Sequence, residues 1–136
     1  LAPEARLLLA EAHLHEGSPE QAIQTLEPVV GNLGRPISIQ AAFLLGSAYE
    51  EADRPTDAED IYLRIAEEAE LTFQIRNALA DAARIRASTD DYAGAADLYR
   101  RILDTFEGDH EGAATAAGDR AMYELRLAEM EAMVNG

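Results

Sequence analysis

The chain has 136 residues, 48% of them hydrophobic, no cysteine, and 26 Asp and Glu against 11 basic residues, for a formal net charge of −15. This excludes disulfides, thiolate catalysis and thiolate metal sites, and it leaves no basic footprint for nucleic acid or an anionic membrane surface. Every one of the 11 bases is Arg, which fits either a GC-rich genome or adaptation to high salt, where an acidic, lysine-poor surface stays hydrated.

Residues 1–136 make one domain's worth of chain, and no apolar run reaches the roughly 18 residues of a membrane span. The first residue is Leu rather than Met, so N-terminal sequence, including any signal peptide or anchor, is expected to be missing. Apolar and small residues recur at three- and four-residue spacing throughout, which predicts helices and an all-α fold. In chain order the breaks are Gly17-Ser18-Pro19, Gly31 to Pro36, Asp53-Arg54-Pro55, Leu71-Thr72, Thr89-Asp90-Asp91 and Glu107-Gly108-Asp109. They leave seven helices of roughly 12 to 18 residues. Pro19 and Pro55 sit just inside helix starts, and Ser18 is placed to cap the second helix. The last helix is expected between Glu111 and Val134, with Gly118-Asp119 either splitting it or delaying its start.

The chain repeats itself. Leu9-Ala10, Gly17, Ala22, Leu26 and Val29 recur as Leu45-Gly46, Asp53, Ala58, Tyr62 and Ile65, and again as Ala82-Ala83, Asp90, Ala95, Tyr99 and Ile102, at offsets of 36 and then 37 residues. Each unit is a helix, a tight turn and a second helix. The small residues at Ala10, Gly46, Ala83, Ala22, Ala58 and Ala95 let the two helices approach closely, and Leu26, Tyr62 and Tyr99 fill the gap toward the next pair. One such pair cannot bury its apolar face alone, whereas three units over about 3–33, 37–70 and 74–107, with a terminal helix over about 111–134, can.

Leu45-Gly46-Ser47-Ala48-Tyr49, and Asp91-Tyr92-Ala93-Gly94-Ala95 with Tyr99, resemble the tetratricopeptide repeat (TPR), and the resemblance covers about residues 3 to 106. It implies a right-handed superhelical solenoid of α-α hairpins, about three repeats with a C-terminal capping helix. The chain departs from the TPR pattern where His13 and Arg86 stand at positions usually held by Tyr, where the closing Pro is missing, and in a period longer than 34 residues. The run Ala41 to Tyr49, the stretch Ala58 to Glu70, and Tyr99-Arg100-Arg101-Ile102-Leu103 further resemble membrane-tethered bacterial TPR proteins of envelope assembly or protein translocation. That resemblance implies a periplasmic-side location through a missing anchor; the alternative is a repeat domain elsewhere, such as the cytoplasm.

No catalytic constellation is legible. His13 and His15, two apart, fall on different helix faces, and His110 stands in a loop. The expected reading is that His13 fills an aromatic packing slot while His15 and His110 are solvated, with no metal. The stretch Asp104 to Gly112 lacks oxygen ligands where a calcium loop needs them, at Phe106 and Gly108. Acid clusters such as Glu67-Glu68-Glu70 read as a solvated face. No Gly-rich phosphate loop and no nucleophile elbow is present, so no cofactor and no enzyme is expected.

The TPR resemblance implies that the first helix of each pair lines a concave groove that binds protein or peptide. Carried over by position, the groove residues are Glu4, Leu7, Glu11 and Leu14; Gln40, Phe43, Ser47 and Glu50; and Asn77, Ala80 and Arg84. Phe43 is either a ligand anchor or a contact with the next repeat's helix. Arg84 either clamps a ligand carboxylate or pairs with Glu50 or Asp81. An extended or helical peptide with apolar anchors and some basic residues would suit such a groove. The expected function is thus a non-catalytic scaffold or adaptor. The alternative is a self-associating repeat domain that dimerises through the last helix, whose Met122, Leu125, Leu127, Met130 and Met133 either dock on the preceding pair or stand exposed.

Overall fold

Prolines set the first four helix starts. Pro3, Pro19, Pro36 and Pro55 each stand in the first turn of a helix, where a missing N–H forfeits no intrahelical bond. From them run α1 (Pro3–His15), α2 (Pro19–Leu26), α3 (Pro36–Glu51) and α4 (Pro55–Glu68). α5 (Thr72–Ser88), α6 (Tyr92–Asp104) and α7 (Ala113–Asn135) complete the computed structural model, which describes residues 1–107 and 113–136, and the side chains of all of these except 113–116. The described residues contain no strand. His110 and the expected start of the last helix at Glu111 lie outside the described residues, as does the calcium-loop-like stretch from Gly108 onward.

Two helix lengths differ from expectation. Pro28 has no N–H to give to Gln24, so α2 stops after 8 residues and the chain tightens into a 3-10 turn over Glu27–Val29. α7 instead runs for 23 residues without a break at Gly118-Asp119. No described helix is long and apolar enough to cross a membrane.

The repeat is written into the backbone of the turns. Gly17, Asp53 and Asp90 hold left-handed φ values of 77°, 57° and 65°, and they stand at the two repeat offsets from one another. The same pair of hydrogen bonds closes each turn. Gly17 N–H donates to the Leu14 carbonyl at 3.1 Å and Ser18 N–H to His13 at 2.8 Å; Asp53 and Arg54 do so to Glu50 and Tyr49 at 3.1 and 2.8 Å; Asp90 and Asp91 to Ala87 and Arg86 at 3.1 and 2.8 Å. This is the Schellman arrangement, which satisfies carbonyls left over at a helix end. The next residue, Ser18, Arg54 or Asp91, precedes the second helix with ψ of 65°, 68° and 70°. Ser18 makes no side-chain cap bond, contrary to expectation, whereas Asp91 accepts the Gly94 N–H at 2.9 Å. With the backbone nearly the same, the carboxylate's extra atom spans a gap that a hydroxyl does not.

Helices adjacent in sequence pack on one another, and α1 also reaches α3. The small repeat positions Ala10, Gly46, Ala83, Ala22, Ala58 and Ala95 are all buried, together with Leu26, Tyr62 and Tyr99. Gly46 is needed for this approach, since a Cβ there would lie 2.4 Å from the Tyr62 ring. Leu9 departs from its repeat partners: Leu45 and Ala82 are buried, whereas Leu9 stands exposed on α1 with Leu8, as does Leu1 before it. At the other end α7 docks on α6 through Tyr123, whose ring lies 6.5 Å from Tyr99 and 6.2 Å from Phe106. Leu127 and Met130 pack beside it. Arg76 fastens the end of α6 to α5, with its guanidinium 3.6 Å over the Phe106 ring and its Nε donating to Thr105 Oγ1 at 2.7 Å.

Candidate functional site: two cavities along α5

Two cavities among the described residues share the face of α5 that runs from Phe73 to Ala87. The first, about 540 Å³, lies between α3 and α5 and is lined by Pro36, Ile39, Gln40, Phe43, Phe73, Gln74, Asn77, Ala80 and Asp81. The second, about 420 Å³, lies between α5 and α7, where Ala80, Asp81, Arg84 and Ala87 face Met122, Tyr123, Arg126, Glu129 and Met130, with Tyr99 of α6 behind them. Both volumes fall within the few-hundred to 1,000 Å³ range typical of ligand sites. Helical phase explains the lining, because Phe73, Asn77, Ala80, Asp81 and Arg84 follow the i, i+4, i+7, i+8, i+11 pattern of one face of α5.

A polar cluster separates the cavities. Arg84 grips Glu50 with two nitrogens, Nη1 to Oε1 at 2.5 Å and Nη2 to Oε2 at 3.0 Å, and reaches Asp81 Oδ1 only at 3.5 Å, through that same Nη2. The Tyr62 hydroxyl donates to Glu50 Oε2 at 2.8 Å. The hydrogen bond from Arg84 holds Glu50's carboxyl below the ordinary carboxylate range despite its partial burial. Asp81 moves the other way: burial raises its carboxyl above the ordinary value and nearby Glu50 adds to this, while Arg84 offsets only part. Tyr62's phenol is pushed up strongly, first by burial and then by its bond to Glu50. The cluster thus sets two carboxylates against one guanidinium.

Of the residues expected in the groove, Gln40, Phe43, Asn77 and Ala80 come together in the first cavity, and Ala80 and Arg84 line the second. Glu50 stands in the cluster between them, while Ser47 is exposed on α3 and lines neither cavity. The four from α1 are not part of either cavity. Glu4 and Glu11 are exposed on α1, Leu14 packs partly against the core, and Leu7 is buried at 6% exposure. Leu7 is therefore a core residue, a correction whose cause is that α1 turns this side toward α2 and α3. Phe43 contacts Tyr62 of α4, the second helix of its own pair and not a helix of the next, with ring centroids 6.2 Å apart, and it lines the first cavity together with Phe73. The paired reading of Arg84 holds, with both Glu50 and Asp81.

The expectation omitted Phe73, 61% exposed on the cavity rim, and Asp81, which lines both cavities. Phe73 lies one helical turn before Asn77, so extending the same face of α5 by one step would have found it. The contribution of α7 had no such signal. Among the described residues no group of His, Asp and Glu is arranged to hold a metal. His13 is half-buried, its Nδ1 buried and without a hydrogen-bond partner among the described residues, and His15 is exposed. Arg86 pairs with Glu59 of α4 and donates to the Gly94 carbonyl of α6 at 3.1 Å, joining three helices.

A scan of protein-family models finds none that matches this chain, and a search of curated proteins returns no match.

Proposed function

We propose that the chain is a TPR-like solenoid whose first helices line a concave groove, and that it acts as a non-catalytic scaffold holding a peptide or partner protein there. The observation that carries this reading is the pair of cavities along α5, with apolar floors, amide groups from Gln40, Gln74 and Asn77, and an exposed aromatic rim at Phe73. Amide side chains beside apolar pockets suit an extended backbone with anchoring side chains. The recurring turns support the repeat assignment, since three helix pairs are closed by the same hydrogen bonds.

Affinity capture from the native organism's lysate, comparing wild type with Phe43→Ala, tests this. A partner retained by wild type and lost by a variant with an unchanged far-UV CD spectrum supports groove binding. Equal recovery by both overturns it. Envelope or translocation components among the lost partners would assign the chain to the cell envelope; cytoplasmic ones would place it there instead.

A second reading has its own observation. Beside the docked Tyr123, α7 leaves Met122, Leu125, Met133 and Val134 exposed, and a helix with such a face can pair with a second copy. Light scattering at tens of micromolar decides it, since a mass of one chain removes the dimer.

A further inference from the structure

The two cavities are not independent, because Ala80 and Asp81 line both. Their lining runs along α5 from Phe73 to Ala87, a rise of about 21 Å at 1.5 Å per residue. An extended segment covers that distance with about six residues. At the junction stands Asp81, its side chain 34% exposed. Among the described residues, its cationic contact is the 3.5 Å approach of Arg84, whose guanidinium is committed to Glu50 by two shorter bonds. Beside Arg84, the charged group that acts on Asp81 is the carboxylate of Glu50, which adds to the negative charge there. In the second cavity Arg126 is paired with Glu129 at 3.1 Å. The junction therefore holds one uncompensated negative charge, partly desolvated, between two apolar hollows, in a chain of net charge −15.

We propose that the cavities form one bipartite channel for an extended basic segment of a partner protein, in which two apolar side chains fill the hollows and a Lys or Arg between them pairs with Asp81. This rests on the groove reading above and adds its recognition rule. The first hollow, walled by Phe43 and Phe73, suits an aromatic or branched aliphatic anchor. The second, with Met122 and Met130, adapts to apolar side chains of varied shape. The intervening cation is selected because it completes the charge balance that Glu50, Arg84 and Asp81 leave open, and an acidic residue there is rejected by like charge.

The test is selection of a phage-displayed random heptapeptide library on the folded chain. The expected result is enrichment of Lys or Arg flanked on both sides by apolar residues. A synthetic peptide of the enriched sequence should bind wild type about tenfold more tightly than Asp81→Asn at low salt. Exchanging its cation for norleucine should erase that difference, a comparison that needs no altered protein fold. Binders that show no cation preference and bind Asp81→Asn equally, yet are lost on Phe43→Ala, overturn the recognition rule and leave the groove reading standing. Binders indifferent to Phe43→Ala, or a library that yields none, overturn both.

Discussion

Two glycines inside helices should answer the same substitution with opposite signs. At Gly118 in α7 an added Cβ meets nothing within 4 Å, so Gly118→Ala should stabilise by about 1 kcal/mol, the helix-propensity difference. At Gly46 in α3 the new Cβ would lie 2.4 Å from two ring atoms of Tyr62 and 2.7 Å from its hydroxyl, against an optimum near 3.5–4.0 Å. The ring cannot simply withdraw, because Tyr62 is 2% exposed and its hydroxyl is bonded to Glu50 at 2.8 Å. Displacing it costs about 1–3 kcal/mol of overpacking and much of a charge-assisted hydrogen bond, about 1.5–3 kcal/mol. After the propensity gain is subtracted, Gly46→Ala should lose about 1.5–5 kcal/mol, about 5–20 °C in Tm for a chain of this length. Thermal melts followed at 222 nm read both variants, and urea titration gives the free energies. Repeating Gly46→Ala in a Tyr62→Leu background should remove most of the loss, a coupling of about 2 kcal/mol in a double-mutant cycle. An equal rise in Tm for Gly46→Ala and Gly118→Ala, or a loss unchanged in the Tyr62→Leu background, would refute the reasoning.

Other outcomes follow from the same contacts. Asp81's folded-state carboxyl lies above its ordinary 3.8, so its ionisation opposes folding, and wild type loses stability from this group as pH rises through the window above that value; Asp81→Asn should raise Tm at pH 7, with the gain fading toward pH 3. Glu50 is held below its ordinary 4.5 and contributes stability above that pH, so Glu50→Gln should cost about 1 kcal/mol at pH 7, measured by urea titration, and progressively less as acid protonates wild type. Asp91→Ala removes the cap on Gly94 N–H and should cost about 1 kcal/mol in denaturant titration. Asp53 is an L-residue at φ 57°, so Asp53→Gly should relieve left-handed strain and gain about 0.5 kcal/mol in the same titration; a loss of stability would show that the turn is held by Asp53's side chain.

The helices were legible because their boundaries carry residues with a single local meaning: Pro19, Pro36 and Pro55 can start a helix and not continue one, and Gly17, Asp53 and Asp90 tolerate the left-handed turn. Self-similarity then identified the buried small positions, Gly46 among them, since those depend on helical phase, which the chain encodes locally. What failed lies at longer range. Phase alone puts Leu7 on the same stripe as Gln40 and Phe43, yet whether that stripe opens to solvent depends on how α1 tilts against α2 and α3, which no local signal reports. The pairing of Arg84 joins residues 34 apart, one option among many in a chain with 26 acids. The wall supplied by α7 depends on where Tyr123 docks, and α7 lies beyond the repeating units that defined the groove positions.

Because contacts run chiefly between helices that are neighbours in sequence, damage should not spread evenly. A molecule built this way behaves as a row of coupled segments, each held by the ones beside it, rather than as a single all-or-none body. Amide exchange should therefore be slowest in α3 to α6, each covered on both sides, and faster at α1 and the far end of α7, where Leu8 and Met133 meet solvent. An injury at Gly46 would open α3 and α4 while leaving α6 and α7 nearly as protected as before.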